Sequence, residues 1–310
     1  MKDFLKSLIL SKVDLIGAPR GFSFSYSKNK ELIMNMYSIM EENGFVEVLT
    51  PTFDFLEVYE KTLGSGSKEL FVFKDGNDLI VPRYDITTQI VRFLAPRIKY
   101  LQLPIKLFYY GDVFREPEFK WYTRQLKQFG AEIIGGTTNE LRGLLRVMKK
   151  LIEVLREFKK ISNYKLVVNY SSVISNLLSL VREEDRDIVK YLISKKDIPT
   201  LERIDIPDLA KKKIIEAIEI SLFGDDHKLK EILHSLIKRE EVEELEFISE
   251  NFELVIDPTL IPSMEYYSGI FFLVYSSDSS LPLASGGRYD NLTSKFGYKQ
   301  TAMGFAIDLD

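Results

Sequence analysis

Arg124-Gln125-Leu126-Lys127-Gln128-Phe129-Gly130-Ala131-Glu132-Ile133-Ile134 alternates with a period of two, placing Gln128, Gly130 and Glu132 on one face and Phe129, Ala131 and Ile133 on the other. The preceding segment, Lys106–Phe114, is of similar length, and a charged, aromatic loop joins the two. Together they predict two long antiparallel strands. The apolar face has to pack on something. The polar face either meets water or floors a pocket, and the strand alone does not say which.

Working outward, residues 139–158 predict an amphipathic helix, because Leu141, Leu144, Leu145, Met148, Leu151, Ile152, Leu155 and Phe158 form one broad stripe. Toward the N-terminus, Leu32, Ile33, Met36, Ile39 and Met40 give a helix over 29–43, stopped by Asn43-Gly44. A strand from Phe45 to Leu49 follows and ends at Thr50-Pro51. Leu70–Phe73 and Leu79–Val81 flank Lys74-Asp75-Gly76-Asn77-Asp78 as a hairpin, and Ile86–Leu94 is a short helix stopped by Ala95-Pro96. Lys165–Tyr170 is a strand. Residues 171–250 are helical and charged, an insertion in which the run Glu240–Glu246 is a solvated face. Strands return at Phe252–Ile256, Tyr266–Tyr275 and Thr301–Leu309. Between the last two, Ser285-Gly286-Gly287-Arg288-Tyr289-Asp290 opens a short helix with an exposed donor end. Helices segregated from strands in this way give an α+β fold with a mainly antiparallel sheet, over residues 1–310 as one unit.

Composition removes several classes of function. The chain has no cysteine, which excludes disulfides, thiolate nucleophiles and cysteine-ligated metals. Its two histidines, His227 and His234, sit in a charged helical stretch and read as solvated residues, so neither a metal nor another cofactor is expected. A net charge of −4 lacks the basic surplus of a general nucleic-acid binder. No apolar run nears the ~20 residues of a membrane span, and the first residues show no signal peptide, which points to the cytoplasm.

Several short motifs carry chemistry. Asp85, in Arg83-Tyr84-Asp85-Ile86-Thr87-Thr88-Gln89, either caps the helix that follows or meets a ligand's ammonium group. Arg115 ends the first long strand. It either grips a carboxylate or phosphate through its planar fork or pairs with Asp112 or Glu116. Gly64-Ser65-Gly66-Ser67-Lys68 lacks the spacing of a phosphate loop and reads as surface.

In chain order, these motifs resemble histidyl-tRNA synthetase, a class II aminoacyl-tRNA synthetase. The helix 29–43 with the strand ending at Pro51 is similar to motif 1. Phe114-Arg115-Glu116 through Gln125–Glu132 is similar to motif 2, and Ala302-Met303-Gly304-Phe305-Ala306-Ile307-Asp308-Leu309 to motif 3. Asp257-Pro258-Thr259-Leu260-Ile261-Pro262-Ser263-Met264-Glu265-Tyr266-Tyr267 and Ala284–Leu292 resemble the two histidine-specific motifs. The resemblance implies a class II antiparallel sheet flanked by helices. It also implies a histidine pocket of Asp85, Thr87, Arg115, Gln128, Glu132, Tyr266, Tyr267 and Tyr289.

The departures are as telling. The synthetase's catalytic arginine falls on Pro262, which offers no cation to a developing adenylate charge. The motif 2 loop lacks the family's second arginine, and neither a closing arginine for motif 3 nor an anticodon-binding domain is expected. Arg83-Tyr84-Asp85-Ile86-Thr87-Thr88-Gln89 and Tyr266-Tyr267-Ser268-Gly269 are closer to the regulatory subunits of ATP phosphoribosyltransferase. That resemblance implies a subunit with no catalytic residue of its own. It would activate a short-form catalytic subunit in a hetero-octamer, form a homodimer through the class II core and convey feedback by histidine, without tRNA. The alternatives are a histidyl-adenylate-forming core lacking its tRNA domain and an amino-acid sensor that binds uncharged tRNA.

Overall fold

The computed structural model describes residues 26–63, 70–115, 124–224, 229, 237, 239–262, 264, 266–279 and 281–309. His227, His234, the Gly64–Lys68 loop and the 116–123 loop lie outside them. Helix α1 (Tyr26–Glu42) leads through Gly44, at φ +77°, into strand β1 (Val46–Glu47). Strand β2 (Phe53–Phe55) and helix α2 (Leu56–Leu63) precede β3 (Phe73–Asp75) and β4 (Asp78–Pro82). The β3–β4 hairpin is tighter than the sequence suggests. Asp75 pairs with Asp78, and Gly76-Asn77 alone make the turn, with Gly76 at φ +60°.

Helix α3 (Ile86–Leu94) then leads to the long strands β5 (Ile105–Phe114) and β6 (Gln125–Ile134). These pair antiparallel over their full lengths. Helix α4 (Thr138–Lys159) begins with a capping box. Thr137 Oγ1 accepts from the Asn139 amide at 3.3 Å, and the Thr137 amide donates to Glu140 at 2.8 Å. Strand β7 (Tyr164–Tyr170) is followed by helices α5 (Ser171–Ser179), α6 (Arg186–Lys195), α7 (Ile198–Arg203), α8 (Asp208–Phe223) and α9 (Arg239–Asn251). Strands β8 (Leu254–Ile256), β9 (Ile270–Ser276) and β10 (Ala284–Arg288), helix α10 (Asp290–Lys295) and strand β11 (Ala302–Asp308) complete the order.

One eight-stranded sheet runs β1-β5-β6-β11-β10-β9-β7-β8, and a three-stranded sheet runs β2-β4-β3. The centre of the large sheet is antiparallel as expected, but each edge strand pairs parallel, β1 with β5 and β8 with β7. Parallel neighbours need a long crossover. The helical stretch 171–253 is that crossover for β8.

The alternation in β6 sorts the two faces of the sheet. Phe129, Ala131 and Ile133 join the buried stripe of α4 and Met36 and Met40 of α1 in the larger core. On the opposite face, Tyr109 packs with Val81, Ile86, Ile90, Tyr266 and Tyr289 in a second core. Helices therefore cover one face, while α2, α3 and the small sheet cover the other.

Three expectations change. Gly286 and Gly287 lie in β10, and the following helix starts only at Asp290. The reason is close strand packing, since a Cβ on Gly286 would sit 2.5 Å from the Gly304 carbonyl oxygen. Tyr266 and Tyr267 precede β9 rather than opening it, because the Ser268 amide donates to the Arg288 carbonyl at 2.8 Å and holds the turn. Within the charged run at 240–246, Glu244 is buried rather than solvated.

Candidate functional site

The polar face of β6 floors a pocket. Asp85, Thr87, Arg115, Gln128, Glu132, Tyr266, Tyr267 and Tyr289 all line it, brought from α3, the end of β5, β6, the turn before β9 and the end of β10. Gln128 and Glu132 are 4% and 1% exposed, which decides between water and pocket for that face.

Glu132 is the centre. Thr87 Oγ1 donates to its Oε1 at 2.5 Å, and the Tyr289 hydroxyl donates to its Oε2. Burial pushes its pKa up to about 8. The charge of Asp85 adds to the rise, and the Thr87 and Tyr289 hydrogen bonds oppose it. Room for the carboxylate comes from β11. A Cβ on Gly304, paired directly with Glu132, would lie 1.7 Å from Oε2. Gly130 leaves similar space for Tyr109, whose hydroxyl would be 2.4 Å from an added Cβ.

Asp85 takes the first of the two roles its sequence offers and keeps one oxygen out of it. Its Oδ1 caps α3 by accepting from the Thr88 amide at 2.6 Å. Its Oδ2 is buried with no hydrogen-bond partner among the described residues. Burial raises its pKa, against the hydrogen bonds from Thr88 and the charge of Arg115. An unsatisfied buried carboxylate oxygen is costly unless a donor reaches it.

Arg115 is held by its Nε, which donates to the Tyr84 carbonyl at 3.0 Å, and its guanidinium lies 4.8 Å from the Tyr84 ring centre. Burial lowers its pKa, but the Tyr84 hydroxyl, Asp308 and Asp85 together raise it above the usual value. Asp112, one of the two acidic neighbours the sequence offers it, instead makes an ion pair with Lys127 at 2.7 Å. Gln128 Nε2 donates to Asp308 at 2.8 Å. Arg83 of the same motif as Asp85 serves the frame, donating to the carbonyls of Thr50, at 2.8 Å, and Asp112.

Tyrosines close the pocket. The Tyr266 ring lies 5.3 Å from Tyr267 and 5.8 Å from Tyr289, the latter edge-on. Burial drives all three hydroxyls well above their ordinary pKa, so they remain protonated donors. Sequence reading missed Tyr109, Met264, Ser285 and the glycine floor. Tyr109 was within reach by alternation along β5, since it stands opposite Gly130. Gly304 was not, because its role depends on cross-strand register.

Among the described lining residues Arg115 is the one cation, near enough to Asp85 for their charges to act on each other. Such a pocket suits a small zwitterion bearing further polar hydrogens, with carboxylates for cationic groups, a guanidinium for an anion and hydroxyls for ring nitrogens. Among the described residues no cluster of histidine or acidic groups could hold a metal, and no helix is long and apolar enough to cross a membrane.

The histidyl-tRNA synthetase family model matches residues 25–310. An ATP phosphoribosyltransferase regulatory subunit from Carboxydothermus hydrogenoformans is 30% identical over 292 residues, covering 88% of this chain and 86% of that protein. A histidine–tRNA ligase from Methanocaldococcus jannaschii is 31% identical over 314 residues, covering 94% and 74%. The crystal structure of an ATP phosphoribosyltransferase regulatory subunit/histidyl-tRNA synthetase from Bacillus halodurans superposes with a TM-score of 0.75 at 25% identity, covering 92% of this chain and 78% of that one. Family model, relatives and fold agree that the chain belongs to the histidyl-tRNA synthetase family, built on its class II fold.

Proposed function

We propose that this chain is a non-catalytic regulatory subunit of ATP phosphoribosyltransferase, the enzyme of the first step of histidine biosynthesis, and that its pocket binds histidine as the feedback effector. The observation that carries the reading is the unpartnered Oδ2 of Asp85 beside the buried, twice-bonded Glu132, with Arg115 opposite. Histidine supplies what those groups want. Its ammonium satisfies Asp85, its imidazole N–H donates to Glu132, and its carboxylate meets Arg115.

The chain's own chemistry is argued against by Pro262, half-buried and uncharged where the synthetase pattern has an arginine. Binding the amino acid without a cation at that position gives recognition without activation. On this reading the residues form a single class II core with a helical insertion at 171–250. It dimerises through that core and joins a short-form catalytic subunit in a cytoplasmic hetero-octamer, using neither metal nor other cofactor. Feedback of this kind needs a coupling energy between the two sites of about 1–3 kcal/mol.

Reconstitution tests the proposal. Phosphoribosyl-ATP formation by the short-form catalytic subunit of the same organism is measured with and without this chain, while histidine is titrated. Stimulation that histidine reverses is the expected result, and no stimulation by a folded chain would remove the reading. The identity to histidine–tRNA ligases favours a second reading, a core that forms histidyl-adenylate. Robust histidine-dependent ATP–pyrophosphate exchange would establish that reading in its place.

A further inference from the structure

Two polar junctions outside the pocket join the helices of 171–253 to the two segments that supply the pocket's tyrosines. The first is centred on Asp257, just after β8. Its Oδ1 accepts from the Thr259 amide at 2.8 Å, the Thr259 hydroxyl at 2.6 Å and the Ser221 hydroxyl at 2.7 Å. Lys196 Nζ, from the residue that follows α6, lies 2.6 Å from Ser221 Oγ and 3.4 Å from Asp257 Oδ2. Ser221 belongs to the last turn of α8. Two helices thus hold the start of the segment that runs to Tyr266 and Tyr267.

The second junction is at the opposite wall. Arg288, the last residue of β10, places NH1 3.7 Å from Glu244 Oε1 of α9 and donates from Nε to Asp290 at 2.8 Å. Glu244 is buried, at 7% exposure. The next residue is Tyr289, whose hydroxyl donates to Glu132. Each link from Glu132 through Tyr289 and Arg288 to Glu244 is therefore a contact or a single peptide step. Helix α9 has an independent anchor, because the Tyr170 hydroxyl donates to the Glu241 carbonyl at 2.8 Å and Ser172 Oγ lies 3.1 Å from the Glu241 carboxylate.

A partly buried ion pair adds little net stability compared with apolar packing, but it fixes geometry. We propose that Glu244 and Asp257 are positioning residues through which the pocket and the helical stretch 171–253 report each other's state. A ligand that holds Tyr289 on Glu132 keeps Arg288 against Glu244 and stiffens α9. A ligand that seats Tyr266 draws on the segment anchored at Asp257. The inference rests on the pocket being the histidine site and names the route by which its occupancy reaches the helical surface.

The experiment uses the whole chain and pairs calorimetric titration of histidine with hydrogen exchange of residues 239–251, with and without saturating histidine. In the wild type, exchange of α9 is expected to slow roughly 5-fold on saturation, as a local opening is suppressed. Glu244→Gln is expected to bind histidine roughly 3- to 30-fold more weakly. At saturation its α9 exchange no longer responds, whereas Arg288→Lys, which keeps the cation facing Glu244, retains part of the response. A loss of packing alone would instead raise α9 exchange equally with and without histidine. Wild-type α9 exchange that ignores saturating histidine overturns the proposal, as does a Glu244→Gln response equal to wild type. Calorimetry showing no histidine binding at all overturns the pocket reading with it, and that arm tells the two failures apart.

Discussion

Two acidic regions, one half-buried and one buried, lie at either end of the segment from Asp257 to Tyr267, and they are built on opposite terms. At Asp257 burial would raise the carboxyl's pKa, but hydrogen bonds from Thr259 and Ser221 and the nearby Lys196 outweigh it, and the pKa falls below the ordinary value. Every oxygen there has its donor from the chain itself. At Asp85 and Glu132 burial wins, and the pKa of Glu132 climbs to about 8. One Asp85 oxygen has no donor among the described residues. A carboxylate that the fold satisfies is a structural joint, and one that the fold leaves short is prepared for something that arrives.

The difference can be broken by mutation. Asp257→Ala should cost about 3 kcal/mol in urea unfolding at pH 7, because the Thr259 amide and the Thr259 and Ser221 hydroxyls all lose their acceptor. Gly304→Ala should come next, at about 1–3 kcal/mol by thermal unfolding, since its methyl group needs the space of Glu132 Oε2. It should also weaken histidine binding, which separates it from an ordinary core defect. Thr137→Ala should cost about 1 kcal/mol through loss of the α4 cap and leave histidine affinity untouched, because Thr137 does not line the pocket.

The pH dependence of the two regions should have opposite signs. Glu132 has a folded pKa raised from 4.5 to about 8. Its contribution to stability is fully present below pH 4.5 and is lost as pH rises through the window to about 8. Asp257, with a lowered pKa, contributes above the ordinary aspartate range and loses that contribution as pH falls through its folded value. In the empty protein, Glu132→Gln should flatten the decline between pH 5 and 8, and Asp257→Asn should flatten the acid limb. Denaturant midpoints across pH check both, and an unchanged profile in either variant would erase the contrast.

The two-faced character of β6 was legible because its period of two survives in the sequence with no help from neighbours. The helix stripe of α4 was legible for the same reason. Whether Gln128 and Glu132 meet water was not, because what covers them comes from Tyr289 and Tyr266, more than a hundred residues away. The eight pocket positions came from resemblance in motif order, and the fold brings them together around one carboxylate. The glycine cradle stayed hidden because Gly304 matters only through its register with Glu132. The glycines of β10 read in the sequence as the start of a helix because paired glycines suit a ligand's approach as readily as a close strand contact.

The central claim is that Glu132 and its neighbours form a histidine site. Calorimetric titration of histidine into the wild-type chain and into Glu132→Ala tests it most directly. Removing a buried acceptor of a charged or imidazole donor should weaken binding by about 10- to 100-fold, with the variant still folded by circular dichroism. Equal affinity in the two proteins would contradict the assignment and place the effector elsewhere on the chain.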